Sequence, residues 1–308
     1  MVYDVVIIGA GIAGYSAALM LNVYGIKNIV IISKRGGHIL NTPMLYNYPG
    51  INEFMTGKEF YDRIDKQVSD CKIGVIEKFV TSISRASSGD FIIDIDAVEI
   101  RTKIILIATG LVCQKPFIPD FDNYKQSIHS CIACSNLDLN EYIDKKIVII
   151  GGADNALETA LQLKSNQITI ISRSDIKATP TLINQIDKIN YDYNNNIKII
   201  TRKEIIKLHG ESIISGNKLV GVTTNDGIYY ECDIIIYAIG HKPSINFAKN
   251  LGIETDEKGY VKIKNGTETN IKNIFACGTV SNDRYTTTSA TVGFGAMAAT
   301  DIYNRINL

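Results

Sequence analysis

Two runs of β-branched residues each end in a glycine turn that opens into an alanine-rich helix, and few architectures accommodate such a pair. The first occupies residues 5–21 and contains Gly9-Ala10-Gly11-Ile12-Ala13-Gly14. The second occupies residues 147–163 and contains Gly151-Gly152-Ala153-Asp154-Asn155-Ala156. Each reads as the start of a βαβ unit, with returning strands expected at 29–33 and 168–172. In the first turn every glycine has a mechanical reason. Gly9 makes the turn, Gly11 lets backbone approach a pyrophosphate, and Gly14 lets helix and strand pack closely. The N–H groups of Ile12, Ala13 and Gly14 then open the helix toward a phosphate.

Two further strand-like runs, 104–108 and 234–238, end in Thr109-Gly110 and Ile239-Gly240, with Pro116 and Pro243 close behind. Prolines in these places fit extended crossovers between domains, so hinges are expected near 111–117 and 240–247. The fold class that follows is α/β. It comprises two Rossmann-like three-layer dinucleotide-binding domains, the second inserted in the first. The expected borders are 1–113, 114–244 and 245–308.

The chain has 308 residues, 45% apolar and 21% charged, with a formal net charge of +0. No global field draws it to nucleic acid or to an anionic membrane. No apolar run reaches membrane-spanning length, and strand-like residues begin at Val2 without a signal-peptide layout, so a cytoplasmic location is expected. Cytoplasmic thiols are normally reduced, which makes the six cysteines something other than a disulfide framework. Cys131-Ile132-Ala133-Cys134 can be read as a redox pair, as half of a zinc site, or as coincidence. A zinc site needs two more ligands at matching spacing; no second CxxC exists and there are four histidines. No metal is expected, and the redox reading leads.

In order along the chain, further segments resemble one family of flavoproteins, the low-molecular-weight thioredoxin reductases. Gly36-Gly37-His38-Ile39 resembles that family's GGQL, and Asn47-Tyr48-Pro49-Gly50 its N-[YFW]-P-G segment. Ala108-Thr109-Gly110 matches its ATG crossover, and Gly240-His241-Lys242-Pro243 its GHxP. The CxxC sits where the family carries CATC, and residues 273–278 resemble its closing G-[VI]-[FY]-A-A-G-D. The agreement runs from about residue 2 to residue 303. The resemblance implies FAD held by Gly9, Gly11, Ile12, Ala13, Gly14, Ser33, Gly37, His38, Ile39, Asn47, Ala108, Thr109, Gly110, Gly278, Thr279, Thr287 and Thr288. It also implies reduction of a thioredoxin through the flavin and the cysteine pair, by a homodimer. Cys134 would face the flavin and Cys131 would attack the partner disulfide. Cys71, Cys113, Cys232 and Cys277 are expected to be small buried packing residues.

The departures from the family bear on the electron donor. Ser33 stands where a ribose-binding acid would end the second strand, and Ser135 replaces the acid that follows the second cysteine. His129 or Asp138 is a candidate substitute for that acid. In the second turn Ala153 puts a Cβ where backbone should approach a pyrophosphate. The family's HRRxxxR-like clamp for a 2′-phosphate is reduced to Arg173, Ser174 and Lys177. Gly278-Thr279 replaces GD, and Thr286-Thr287-Thr288 replaces RQA; their hydroxyls remain able to hydrogen-bond a ribitol. A branch of the family takes electrons from reduced ferredoxin. The sequence resembles that branch, so NADPH use is doubtful and ferredoxin is the expected donor. The rival readings are an NADPH-dependent thioredoxin reductase, a ferredoxin–NADP reductase of the same fold, and a flavin-binding paralogue without catalysis.

Overall fold

A computed structural model describes residues 2–307, apart from 43, 46, 52–54, 97, 132–138, 164–166, 193–195, 214–215 and 283. Cys134, Ser135 and Asp138 therefore lie outside the described residues. The chain divides into two compact units, Met1–Val112 with Lys242–Leu308, and Cys113–His241. It is α/β, with one dinucleotide-binding domain inserted in the other.

The first unit begins with β1 (Val2–Ala10), α1 (Ile12–Val23), β2 (Ile29–Arg35), α2 (Gly57–Asp70) and β3 (Gly74–Ile76). It continues through β4 (Ser82–Arg85), β5 (Phe91–Ile95), β6 (Val98–Ile107) and β7 (Leu111–Cys113). Its sheet runs β3-β2-β1-β6-β5-β4, parallel from β3 to β6 and antiparallel at β5 and β4. Parallel strands buried on both faces read as unbroken apolar runs, and β1 shows why. Val5 and Ile7 face the helices, whereas Val6 and Ile8 face the opposite core. α2 starts at a capping box: Thr56 Oγ1 accepts from the Glu59 N–H at 3.2 Å, and the Glu59 carboxylate accepts from the Thr56 N–H at 2.8 Å.

The inserted unit holds β8 (Ile128–Ser130), β9 (Lys146–Ile150), α3 (Asp154–Gln162), β10 (Gln167–Ser172), α4 (Pro180–Asp192) and β11 (Ile197–Thr201). Then come β12 (Ile205–Ile213), β13 (Gly216–Thr224), β14 (Tyr229–Glu231), β15 (Ile234–Tyr237) and β16 (His241–Pro243), whose last two residues belong to the first unit. The parallel sheet has the order β11-β10-β9-β15-β8. Helices cover one face, where Ala156, Leu157 and Ile186 meet Ile149, Ile170 and Ile236. The third layer is antiparallel β: Leu208, Leu219 and Val222 of the β12-β13-β14 sheet pack on Val148, Ile171 and Ile235.

The chain re-enters the first unit to add β17 (Ile274–Ala276), paired with β6, and α5 (Thr288–Ile306). Gly295 of α5 lies so close to α1 that a Cβ there would stand 2.3 Å from the Ala13 carbonyl oxygen. The two crossovers, β7 and β16, form a two-stranded sheet. The borders expected at 113/114 and 244/245 fall instead at Val112/Cys113 and His241/Lys242. Local hydrogen bonds give the reason for the second shift. The Ser244 N–H donates to the Gly110 carbonyl at 3.2 Å, and Thr109 Oγ1 donates to the Ser244 carbonyl at 2.7 Å. Among the described residues no helix is long and apolar enough to cross a membrane.

Candidate active site

In the first unit, four glycine-bearing turns converge at the C-terminal ends of β1, β2, β6 and β17. Gly9 has φ +124°, and a Cβ on it would meet the Ala108 carbonyl oxygen at 2.3 Å. A Cβ on Gly14 would meet the Gly9 carbonyl oxygen at 2.0 Å, so helix and turn are packed backbone to backbone. Gly11 differs, because a Cβ there would find only the Gly36 carbonyl oxygen, 3.8 Å away. Its hydrogen therefore fronts open space beside the start of α1, which no side chain caps. Gly37 (φ +131°) lies against Gly11, Gly110 (φ +62°) against Thr279, and Gly278 (φ +76°) against Ala13. This is a backbone cradle with an uncapped helix N-terminus, the arrangement that receives a dinucleotide pyrophosphate. FAD fits it on these grounds.

Two tyrosines that sequence reasoning missed hold the cradle in place. The Tyr61 hydroxyl accepts from the Gly36 N–H at 2.8 Å and donates to the Ala10 carbonyl at 3.0 Å, joining the two phosphate-side turns. Tyr15 stacks on it with ring centroids 5.4 Å apart and donates to Asp65 at 2.6 Å. Burial and the Asp65 hydrogen bond push the Tyr15 hydroxyl far up, so it stays protonated. Their apolar period on α1 and α2 marks them only as core.

The remaining expected contacts are more dispersed. Ser33 sits within β2, its hydroxyl donating to the Lys34 carbonyl at 2.9 Å. His38 and Ile39 open a short 3-10 turn, with Ile39 buried. Asn47 is exposed, and its carbonyl accepts from Ser289 at 3.4 Å. Thr287 caps α5 by accepting from the Ala290 N–H at 3.4 Å, and Thr288 is the first residue of that helix. The Thr287 hydroxyl thus has a helix-capping task.

The inserted unit repeats the first turn with one change. Gly151 (φ +148°) packs on the Ala238 carbonyl as Gly9 does on Ala108, and Ala153 replaces Gly11. The Ala153 backbone (φ −107°, ψ 179°) resembles that of Gly11 (φ −84°, ψ −176°), so its Cβ costs no strain. The residue instead narrows the space beside α3. A cavity of about 660 Å³ remains, lined by Gly152, Ala153, Arg173, Ser174, Lys177 and Lys203 among others. Lys203 is neutralised by Asp226 at 2.8 Å, leaving Lys115, Arg173 and Lys177 as lining cations without an ion pair among the described residues.

The sulfur site lies in the same unit. Cys131 follows β8 and is 1% exposed. Asn155, in the first turn of α3, donates its amide to Cys131 Sγ at 3.2 Å, and such a donor stabilises negative charge arising on the sulfur. The sulfurs of Cys113 and Cys131 and a ring nitrogen of His241 lie within 4.8 Å of one another. The expectation for Cys113 is thereby corrected: it is half-buried, disulfide-bonded, and part of the sulfur cluster. Spacing could not reveal this, because Cys113 and His241 meet only through the β7–β16 pairing. The other expectations differ by residue. Cys232 and Cys277 are buried, and burial pushes both thiols up to about 12. His129 hydrogen-bonds through Nδ1 to the buried Tyr142 hydroxyl and through Nε2 to the Gln126 carbonyl at 3.2 Å. His241 is the imidazole beside the sulfurs, and burial holds it below its usual range, so its ring is neutral near pH 7.

Two dinucleotide-binding units, one interrupting the other and carrying a thiol cluster, define a class of flavin- and nicotinamide-linked disulfide oxidoreductases. The chain belongs to it: residues 3–295 match the sequence profile of the pyridine nucleotide-disulphide oxidoreductase family. It is 26% identical to a thioredoxin reductase of Dictyostelium discoideum, covering 97% of this chain and 96% of that protein. A 34.2 kDa protein in the rubredoxin operon of Clostridium pasteurianum is 29% identical, covering 96% and 94%. Among solved structures, the thioredoxin reductase of Lactococcus lactis superposes with a TM-score of 0.82 at 28% identity, over 99% of this chain and 100% of that one.

Proposed function

We propose that the protein is a flavin-dependent disulfide reductase that reduces a thioredoxin through FAD and the Cys131/Cys134 pair, with reduced ferredoxin as its electron source. The observation that carries the reading is Cys131, a buried cysteine of a CxxC held by the Asn155 amide at the start of a nucleotide-type helix. FAD, bound in the cradle around Gly9, Gly11, Gly37 and Gly278, supplies two-electron chemistry. The protein's own residues do the rest. Backbone N–H groups at the start of α1 hold the pyrophosphate, Tyr61 braces the turn, and Asn155 positions sulfur for exchange. Cys131 attacks the partner disulfide in this reading, and Cys134 closes the enzyme disulfide. A cytoplasmic homodimer belongs to the same reading and rests on the family resemblance.

Ferredoxin is favoured by Ala153 in the pyrophosphate turn and by the thinned clamp of Arg173, Ser174 and Lys177. The NADPH-dependent reading has its own support in the 660 Å³ cavity, which keeps three cations, Lys115, Arg173 and Lys177, without an ion pair among the described residues. Anaerobic flavin reduction by NADPH, NADH and reduced ferredoxin, side by side, decides the donor; rapid bleaching by NADPH sinks the ferredoxin reading. For the dithiol, Cys131→Ser is expected to lose thioredoxin reduction while the flavin absorbance stays. Retained turnover in that variant defeats the reading.

A further inference from the structure

We propose that Cys113 is a third redox sulfur of this site, a resolving cysteine that displaces the reduced partner from the CxxC pair with His241 carrying the proton. The inference rests on the disulfide-reductase reading above and adds a residue to it. Three observations support it. The Cys113 sulfur is within 4.8 Å of both Cys131 Sγ and the His241 ring. Cys113 is already disulfide-bonded, whereas Cys131 beside it carries a thiol, as do Cys71, Cys232 and Cys277. It also closes the crossover strand β7, paired with β16, which His241 begins.

The chemistry balances as ordinary thiol–disulfide exchange. A thiolate of the reduced pair attacks a disulfide of the protein partner. A bond forms between the two sulfurs, the partner's own S–S bond breaks, and the sulfur released takes up a proton. Cys113 then gives its proton to His241 and attacks the enzyme sulfur of the mixed disulfide. The new bond joins Cys113 to the pair, the bond to the partner breaks, and the departing partner sulfur receives the proton from His241. Two enzyme thiols have become one enzyme disulfide, and two electrons have passed to the partner. Attack by the remaining cysteine of the pair moves the disulfide back into the CxxC and returns Cys113 to the thiol. A metal held by Cys113, Cys131 and His241 is the competing use of the same atoms, and a sulfur already in a disulfide is a poor ligand for it.

The test reads the bond itself. Trypsin separates residues 104–125, which contain Cys113, from residues 126–145, which contain both Cys131 and Cys134. In holoenzyme alkylated without reduction during a dithiothreitol titration, a covalent product of the two fragments is expected in the wild type and not in Cys113→Ser. Stopped against a thioredoxin-type disulfide, Cys113→Ser is expected to accumulate the mixed disulfide. Its kcat should fall by about tenfold or more with KM little changed, as for an interaction made in the transition state. Absence of the joined fragments at every stage, with unchanged kcat, overturns the proposal; so does one tightly held zinc per chain protecting Cys113 from alkylation. The fragment assay does not depend on turnover. If Cys131→Ser keeps full turnover, it is the reductase reading that fails, and the joined fragments still report on Cys113.

Discussion

Tyr61 is the residue on which the flavin cradle most depends after the glycines. Its hydroxyl satisfies the Gly36 N–H and the Ala10 carbonyl, two backbone groups of the turns that face the pyrophosphate. Tyr61 is itself only 4% exposed, so water does not readily replace it. Removing one partner of a buried hydrogen bond costs about 1–3 kcal/mol. Tyr61→Phe is therefore expected to weaken FAD retention by about tenfold, measured by flavin release on dilution of the holoenzyme. Unchanged FAD affinity would mean that the turns hold themselves. The sequence marks Tyr61 only as part of an apolar helix face. A hydroxyl bridging two loops 26 residues apart in sequence (Ala10 and Gly36) leaves no local pattern.

At the scale of elements, the turn between β13 and β14 is held electrostatically. Lys203 donates to the Asp226 carboxylate, Thr224 adds a hydrogen bond at 2.6 Å, and together they lower Asp226 from 3.8 to about 2. The carboxylate is more acidic in the folded state, so its contribution is present above about pH 4. It disappears as pH falls through about 2. Asp226→Asn is expected to remove this part of the acid dependence, so that its denaturation midpoint changes less between pH 4 and pH 2 than that of the wild type. Parallel acid limbs for the two proteins would refute it. The central parallel strands and the helices α1 and α3 were legible, because buried parallel strands must be apolar on both faces and these two helices follow glycine turns. The β12-β13-β14 layer was not, since register shifts at Ile205/Lys207 and His209/Gly210 break the two-residue alternation that marks a half-buried strand.

For the molecule as a whole, the decisive segments are the paired crossovers. Gly240 adopts φ +98° with no atom within 4 Å of an added Cβ, so its glycine serves backbone conformation alone. Gly227, in the Asp226 turn, has φ +82° and equally open surroundings. Alanine at either position costs roughly 1–2 kcal/mol of left-handed strain. Both variants are expected to lose similar stability in urea, but Gly240→Ala alone should also lose turnover if the proposed reduction of a protein partner draws on rearrangement of the crossovers. Equal turnover in the two variants would remove the crossover from the mechanism.

The two strand–turn–helix openings with their returning strands, the insertion of one nucleotide-type unit into another, and the CxxC were determined by the sequence alone. They depend on local spacing: glycines where backbone must turn or touch, apolar runs where strands are buried, and two cysteines three positions apart. Tertiary structure alone decided which distant groups share a site. Cys113 meets Cys131 and His241 because two crossover strands pair, and Asn155 reaches Cys131 because α3 starts beside β8. Those meetings are set by strand pairing and packing between segments far apart in the chain, which no spacing rule records.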